Sequence, residues 1–256
     1  MKTHLDLNAD LGEGYPFDAE LMQVISSANI ACGGHAGNVD SMRTTVRLAH
    51  QYGVRIGAHP SYPDREGFGR KSMTLTPSQL VFSLTAQLWA LKAVSIEEGV
   101  SVAYVKPHGA LYNDAARDPV LARQIAQMIR EIDPDLALMG LADSELIKAG
   151  REAGLQVIEE GFADRAYLPD GSLMPREQAG AVLEDTQAVI VQALALSQRV
   201  DSLCLHGDNP AALTQAHAIR DALRKAGIRI SADDNPVDAI VGDRAFGNPP
   251  PPNEWE

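Results

Sequence analysis

Seven times along this 256-residue chain a short apolar run of strand length ends in a polar group or glycine, and a helical pattern follows. The clearest case is Asn29-Ile30-Ala31-Cys32-Gly33-Gly34-His35-Ala36-Gly37, with a helical segment opening near Asp40. Leu5-Asp6-Leu7-Asn8-Ala9-Asp10 and Val54-Arg55-Ile56-Gly57-Ala58-His59 end in the same way. Strand–helix alternation of this kind predicts a parallel sheet covered by helices. A doubly wound sheet would gather its polar groups near one crevice, whereas here they close most strands of the series. The expected fold is therefore a single-domain seven-stranded parallel β/α barrel over residues 1–256, with 246–256 a Pro-rich C-terminal tail.

The remaining strands are read at Val102 to Val105, Leu136 to Leu141, Gln156 to Glu160 and Ser202 to Leu205, with a short extra one near Ile228 to Ile230. Helix starts are legible from caps. Asp40 is expected to cap one helix and Gly53 to end it. Thr76-Pro77-Ser78-Gln79 combines an N-cap, a first-turn proline and a capping-box glutamine. Leu80, Leu84, Leu88 and Leu91 then form one face, with Trp89 read as near-core. Asp118-Pro119 opens a further helix, another spans about Ser144 to Glu152, and another runs from about Glu177 to Gln198. Asn209-Pro210 is expected to cap the last one. The segment Pro60 to Lys71 is too rich in Gly, Pro and charge for regular structure, and loops this long are often functional.

The net charge of −12 comes without any basic stripe, which argues against nucleic acid as a partner. No apolar run reaches membrane-spanning length and the N-terminus lacks a signal-peptide core, so a cytoplasmic location is expected. Cys32 and Cys204 fit a reducing compartment as buried free thiols.

The groups that close strands or sit on the following loops are Asn8, Asp10, Glu13, His35, His59, Lys106, His108, Glu159, Arg165, His206 and Asp208. Strand ends converge at the mouth of a barrel. Asp10, His35 and His59 form a set of one carboxylate and two imidazoles that suits a divalent metal with open positions. The metal-free alternative is a His–Asp acid–base network around a water. Lys106 is expected to hold an anion, or to act as a base if its pKa falls. Arg70 and Arg165, on long loops, could clamp an anionic substrate. No GxxxxGK[ST], GxGxxG or GxSxG motif is present, so a phosphate loop, a dinucleotide fold and a serine-hydrolase elbow are not expected.

Long stretches of this sequence resemble the LamB/YcsF family: Asp6 to Glu13, Ala28 to Gly37, Gly57 to Asp64, Lys106 to Tyr112, Phe162 to Tyr167 and His206-Gly207-Asp208. The resemblance implies a seven-stranded barrel similar to that of sugar deacetylases, some of which bind a divalent metal through an Asp and two His. It also implies ATP-coupled hydrolysis of the lactam of 5-oxo-L-proline to L-glutamate, performed with 5-oxoprolinase subunits B and C. Under that implication ATP is a co-substrate, bound either by those subunits or by the Gly33 to Gly37 turn. The catalytic set expected is Asp10, His35, His59, Lys106, His108, His206 and Asp208. The substrate-binding set is Asn8, Glu13, Arg70, Glu159 and Arg165. Two rival readings are a metal-dependent N-acetyl-sugar deacetylase and a non-catalytic substrate-binding subunit.

Overall fold

The computed structural model describes residues 2–206 and 211–232. Its first strand, β1 (His4–Leu11), shows how the sequence builds the rest. Leu5, Leu7, Ala9 and Leu11 enter the main apolar core. Asp6, Asn8 and Asp10 alternate with them and are buried as well, so they occupy the opposite face. Apolar residues therefore point outward, toward helices, and the polar ones line the interior.

Strands β2 (Ser27–Ala31), β3 (Arg55–His59), β4 (Tyr104–Val105), β5 (Ala137–Leu141), β6 (Val157–Phe162) and β7 (Ser202–Leu205) follow in order. Each pairs in parallel with its sequence neighbour, and β7 pairs back onto β1. The ring is closed, a seven-stranded parallel barrel. A two-residue strand, β8 (Arg229–Ile230), adds to the beginning of β1 outside the ring. Gly57 faces the interior for a steric reason: a Cβ there would come within 2.1 Å of the Tyr104 ring. Its absence lets Tyr104 reach across to Asn29.

The connecting helices are α1 (Asp18–Leu21), α2 (Val39–Tyr52), α3 (Pro77–Glu97), α4 (Gly109–Arg117), α5 (Pro119–Ile132), α6 (Glu145–Glu152), α7 (Thr186–Leu196) and α8 (Ala212–Lys225). The expected Thr76 capping box is present on α3, and Asp118 caps α5 through its side chain. α2 is capped by Asn38, not Asp40; Asn38 and Ser41 bond reciprocally, and Asp40 falls inside the first turn. α4 is an addition to the expected elements: Gly109 opens it without a side-chain cap that would mark its start. α7 starts at Thr186 rather than near Glu177. The residues before it form a folded loop with bridges Arg165–Val182 and Tyr167–Leu173. α3 is long and apolar enough to cross a membrane by composition. Its leucines nevertheless pack on the barrel, which makes it a barrel helix. Trp89 is 49% exposed, so it is a surface residue rather than near-core. Asp208, Asn209-Pro210 and the 246–256 tail lie outside the described residues.

Candidate active site

The barrel interior is one continuous hydrogen-bonded network stacked in layers. At the bottom, Asp6 accepts from Ser26 and Ser27 at 2.6 and 2.7 Å and from Ser202 at 2.5 Å. Arg55 bridges it at 3.1 Å. In the middle, the Asn8 amide donates to Glu160 Oε1 at 2.8 Å and to Ser202 Oγ at 2.7 Å. Asn29 donates to Asn8 Oδ1 and Asp10 Oδ1 at 2.7 and 2.8 Å, and accepts from Tyr104 at 2.6 Å. The Tyr112 hydroxyl donates to Glu160 Oε2 at 2.8 Å. Satisfying every group matters here, since an unpaired polar atom in a low-dielectric interior is costly.

Lys106 ties this network to the mouth. Its Nζ lies 2.8 Å from Glu160 Oε1, 3.1 Å from Asp10 Oδ1 and 3.1 Å from Cys204 Sγ. Burial pulls the Lys106 pKa down, but Asp10, Cys204 and Glu160 outweigh it and hold it well above the usual ammonium range. The condition set for a base, a lowered pKa, is not met at Lys106, and its contacts make it a fixed cation. Burial likewise works to raise Asp10, and the charges of His59 and Lys106 reverse this, leaving its carboxyl well below the usual range.

Above Asp10 sit three imidazoles. His59, the last residue of β3, places Nδ1 2.8 Å from the Lys106 carbonyl, so that nitrogen carries a hydrogen. His108 places Nε2 3.0 Å from the Phe68 carbonyl, so that nitrogen carries one too. The remaining nitrogens, His59 Nε2 and His108 Nδ1, face each other at 3.0 Å. Two lone pairs cannot be stable at that separation; a proton or a cation must lie between them. Asp10 Oδ2 lies 3.3 Å from His59 Nε2. His35 stacks flat on His108 at 3.6 Å and bonds Glu13 Oε1 at 2.8 Å through Nε2. Its Nδ1 is buried without a hydrogen-bond partner. Burial first, then the charge of His59, lowers the His35 pKa to about 3, and burial with the neighbouring imidazoles lowers His108 well below its ordinary value.

The donor atoms of Glu13, His35, His59 and His108 lie within 4.8 Å of one another. A three-imidazole, one-carboxylate set suits a tetrahedral divalent ion, whose nitrogen ligands lie at about 2.0–2.1 Å. This set differs from the expected Asp10–His35–His59 in a specific way. Asp10 groups instead with Cys204 and His206, and its Oδ1 is engaged by Lys106 and Asn29.

The Pro60 to Lys71 loop roofs the cluster. Phe68 adopts a left-handed backbone at φ 54°, uncommon for a bulky residue, and this turns its carbonyl to His108. Its ring packs edge-on against His35 and His108. The loop closes on the start of α4: Gly109 is left-handed, and a Cβ there would meet the Gly69 carbonyl at 2.5 Å. Beside this roof opens a cleft of about 90 Å³ lined by Asp10, His59, Lys106, Phe162, His206 and three arginines, Arg70, Arg165 and Arg176. Arg165 donates to the carbonyls of Ala181 and Met174 at 3.1 and 2.6 Å. Burial, then the charge of Arg176, lowers its pKa. His206 is anchored by Asp164 at 3.0 Å and stacks on Phe162. Burial opposes the ionised Asp164, yet His206 holds its pKa below the usual value.

Asn8, Asp10, Glu13, His35, His59, Arg70, Lys106, His108, Arg165 and His206 are thus gathered in or around one mouth. Glu159 is not. It lies on the outer face of β6 and pairs with Arg151 of α6 at 2.6 Å. β6 runs on to Phe162, and the residue of this pair that enters the interior is Glu160, fully buried. Sequence reasoning also missed Asn29, Tyr104, Tyr112, Phe68, Asp164 and Arg176. Period-two alternation from Asp10 and Asn8 could have pointed to Asn29 once the strands were aligned; nothing local marked Arg176.

A sequence model of the LamB/YcsF family matches residues 5–237. The chain belongs to the LamB/YcsF family. It is 49% identical over 242 residues to the A subunit of 5-oxoprolinase from Haemophilus influenzae (strain PittEE), spanning 89% of this chain and 99% of that one. The crystal structure of the lactam utilization protein from Thermus thermophilus is 39% identical, with a TM-score of 0.83 over 91% of this chain and 100% of that one. A mutant of the peptidoglycan deacetylase PdaC from Bacillus subtilis, 10% identical, has a TM-score of 0.51 over 90% of this chain and 87% of its own, a likeness of fold alone. In this LamB/YcsF chain the mouth combines two imidazoles whose facing nitrogens lie 3.0 Å apart, an ionised aspartate, a fixed ammonium and three guanidinium groups. Together these can activate a water beside a small anion.

Proposed function

We propose that this chain is the A subunit of an ATP-dependent 5-oxoprolinase and that its barrel mouth opens the lactam of 5-oxo-L-proline to give L-glutamate. The observation that carries the reading is 49% identity across 99% of a relative of that name. The geometry suits the chemistry. A five-membered lactam is a poor electrophile until its carbonyl oxygen is phosphorylated. Water then adds to the carbon, the ring nitrogen departs protonated as the amine, and a second water hydrolyses the resulting γ-glutamyl phosphate to L-glutamate and phosphate. A base must take the proton of each attacking water. The His59–His108 pair is placed for this: His59 Nδ1–H is fixed on the Lys106 carbonyl, the pair without a shared proton takes that of the water between Nε2 and Nδ1, and Asp10 stabilises the charge that forms. Arg70, Arg165 and Arg176 hold the anionic ends of the substrate, arginine being suited to planar carboxylate and phosphate. Lys106, already paired with Asp10 and Glu160, fixes the carboxylates rather than gripping substrate.

The cleft of about 90 Å³ is far below the several hundred Å³ of pockets for larger ligands. The mouth therefore suits the lactam, and with no phosphate-loop motif in this chain we assign ATP to the partner subunits, B and C, in the cytoplasm. Glu13, His35, His59 and His108 are the residues that would hold a divalent cation, in place of the shared proton. When bound, such an ion would supply Lewis-acid polarisation of a carbonyl or water.

The test measures oxoproline-dependent ATP hydrolysis and glutamate release, for this chain alone and mixed with subunits B and C. The proposal expects neither reaction from the chain alone and both, in equal amounts, from the mixture. ATP cleavage without glutamate from the mixture, or deacetylation of an N-acetyl sugar by the chain alone, would contradict it.

A further inference from the structure

α3 is apolar on two opposite faces. One face, carrying Leu80, Leu84, Leu88, Leu91 and Val94, is buried on the barrel. On the other, Phe82, Ala86, Trp89, Ala93 and Ile96 are all exposed. Their spacing of four, three, four and three residues puts them in one narrow stripe. Phe82 is 78%, Trp89 49% and Ile96 68% exposed. The other exposed large hydrophobics among the described residues, Val39, Val120 and Val191, lie singly on three different helices. Isolated exposures of that kind need no explanation, whereas an aligned row does.

The stripe holds no charge, although the chain carries −12 overall. Its flanking charges are neutralised within the chain. Lys92 pairs with Asp133 while lying 5.7 Å from the centre of the Trp89 ring. Arg43 holds Glu97 at 2.7 Å and Glu98 at 3.0 Å, and Arg47 holds Glu98 at 2.8 Å. Two acidic molecules can therefore approach along this face without setting acid against acid.

We propose that the outer face of α3 is a self-association surface, on which α3 of a second copy packs antiparallel about a two-fold axis near Trp89. The order large, small, large, small, large reads alike in both directions, as a two-fold contact requires. Antiparallel alignment sets Phe82 against Ile96 of the second copy, Ala86 against Ala93, and Trp89 against its own equivalent. Small residues thus meet beside the central aromatic pair, which lets the helix axes come close. The exposed apolar area of the stripe is on the order of 400–500 Å² per copy, about half of the ~800 Å² that each partner in a stable complex buries. That is the share expected for an apolar centre within a polar rim. The barrel mouths of the two copies would then open in opposite directions, leaving each one free for the B and C chains.

Sedimentation equilibrium of the full chain over a concentration series tests this. The expected mass is twice 27.5 kDa, and Phe82→Glu/Trp89→Glu should weaken the dimer by roughly 30-fold or more, the loss typical of central aromatic anchors. Unchanged circular dichroism establishes that the variant folds. Mixing Ala86→Cys chains with Ala93→Cys chains should give a mixed disulfide faster than either alone, since native Cys32 and Cys204 are buried. A wild-type chain that stays monomeric throughout overturns the proposal, as does a dimer untouched by the double substitution. If the wild type is monomeric and the variant no longer binds the B or C chain, the face belongs to that partner, and the proposal is overturned equally.

Discussion

Replacing Lys106 by Met removes the one cation that the described interior places between Asp10 and Glu160. Methionine preserves most of the side-chain volume, so the change isolates charge from packing. Two buried carboxylates and the Asn8 carbonyl each lose one charged donor, keeping those from Asn8, Asn29 and Tyr112, and Cys204 loses its neighbour. Breaking a buried pair by deleting one partner costs about 3–5 kcal/mol. For a chain of this length that is a fall of roughly 6–20 °C in thermal midpoint. The pH dependence carries more information than the size of the loss. In the wild type, Asp10 has a depressed folded pKa, so its contribution is present above its unfolded value, about 3.9, and vanishes only as pH falls through the lower folded value. Lys106 has a raised folded pKa, so its contribution is complete below about 10.4 and disappears only as pH rises through the higher folded value. Across pH 5 to 8 these two groups therefore add no slope. Without Lys106, one of the two charges that oppose burial at Asp10 is gone, so its carboxyl pKa rises from the wild-type position and stability held by the protonated form is lost as pH climbs. The deficit measured by urea unfolding should be larger at pH 8 than at pH 5. A loss below about 1 kcal/mol at pH 7, within the range of ordinary surface changes, or a deficit that grows toward acid, would refute the reasoning.

Gly57→Ala should be among the most damaging single-methyl additions, because the fully buried Tyr104 ring 2.1 Å from the added carbon has nowhere to move. A loss of about 1–3 kcal/mol is expected from thermal unfolding. Arg176→Ala should raise the KM for 5-oxoproline in the assembled enzyme by about 10-fold or more, with a smaller change in kcat; an unchanged KM would remove Arg176 from the anion site. Glu159→Ala should leave both constants within about 2-fold, since that side chain faces α6. Titration with Zn²⁺ or Mn²⁺, followed by calorimetry, should give a site that His108→Ala weakens by about 10-fold or more; equal binding by wild type and variant would dismiss the four-residue donor set.

The barrel was legible because each strand is punctuated: apolar residues facing the helices stop where a polar group or glycine begins the mouth. Asp10, His35 and His59 announced themselves at such stops. Register was harder to read. In β6 the sequence Val157-Ile158-Glu159-Glu160-Gly161-Phe162 offers two adjacent glutamates, and a strand read as ending at Glu160 does not reveal which one turns inward. The interior itself obscured the choice. Asp6, Asn8, Asn29, Ser27 and Ser202 make the lumen polar, so the rule that buried means apolar points the wrong way. Trp89 failed for the converse reason: a large aromatic beside a leucine stripe reads as core unless a second apolar face is anticipated. Phe68 and Arg176 sit on irregular loops whose path depends on contacts distant in sequence, and no local pattern encodes them.

The claim on which the account turns is that His59 handles the proton of the attacking water. Its direct test is the rate of glutamate formation by the three-chain complex carrying His59→Ala in this chain, with assembly verified by native mass. The account predicts intact assembly and a fall in kcat of about 10²–10⁴-fold. Full turnover by an assembled His59→Ala complex would contradict it.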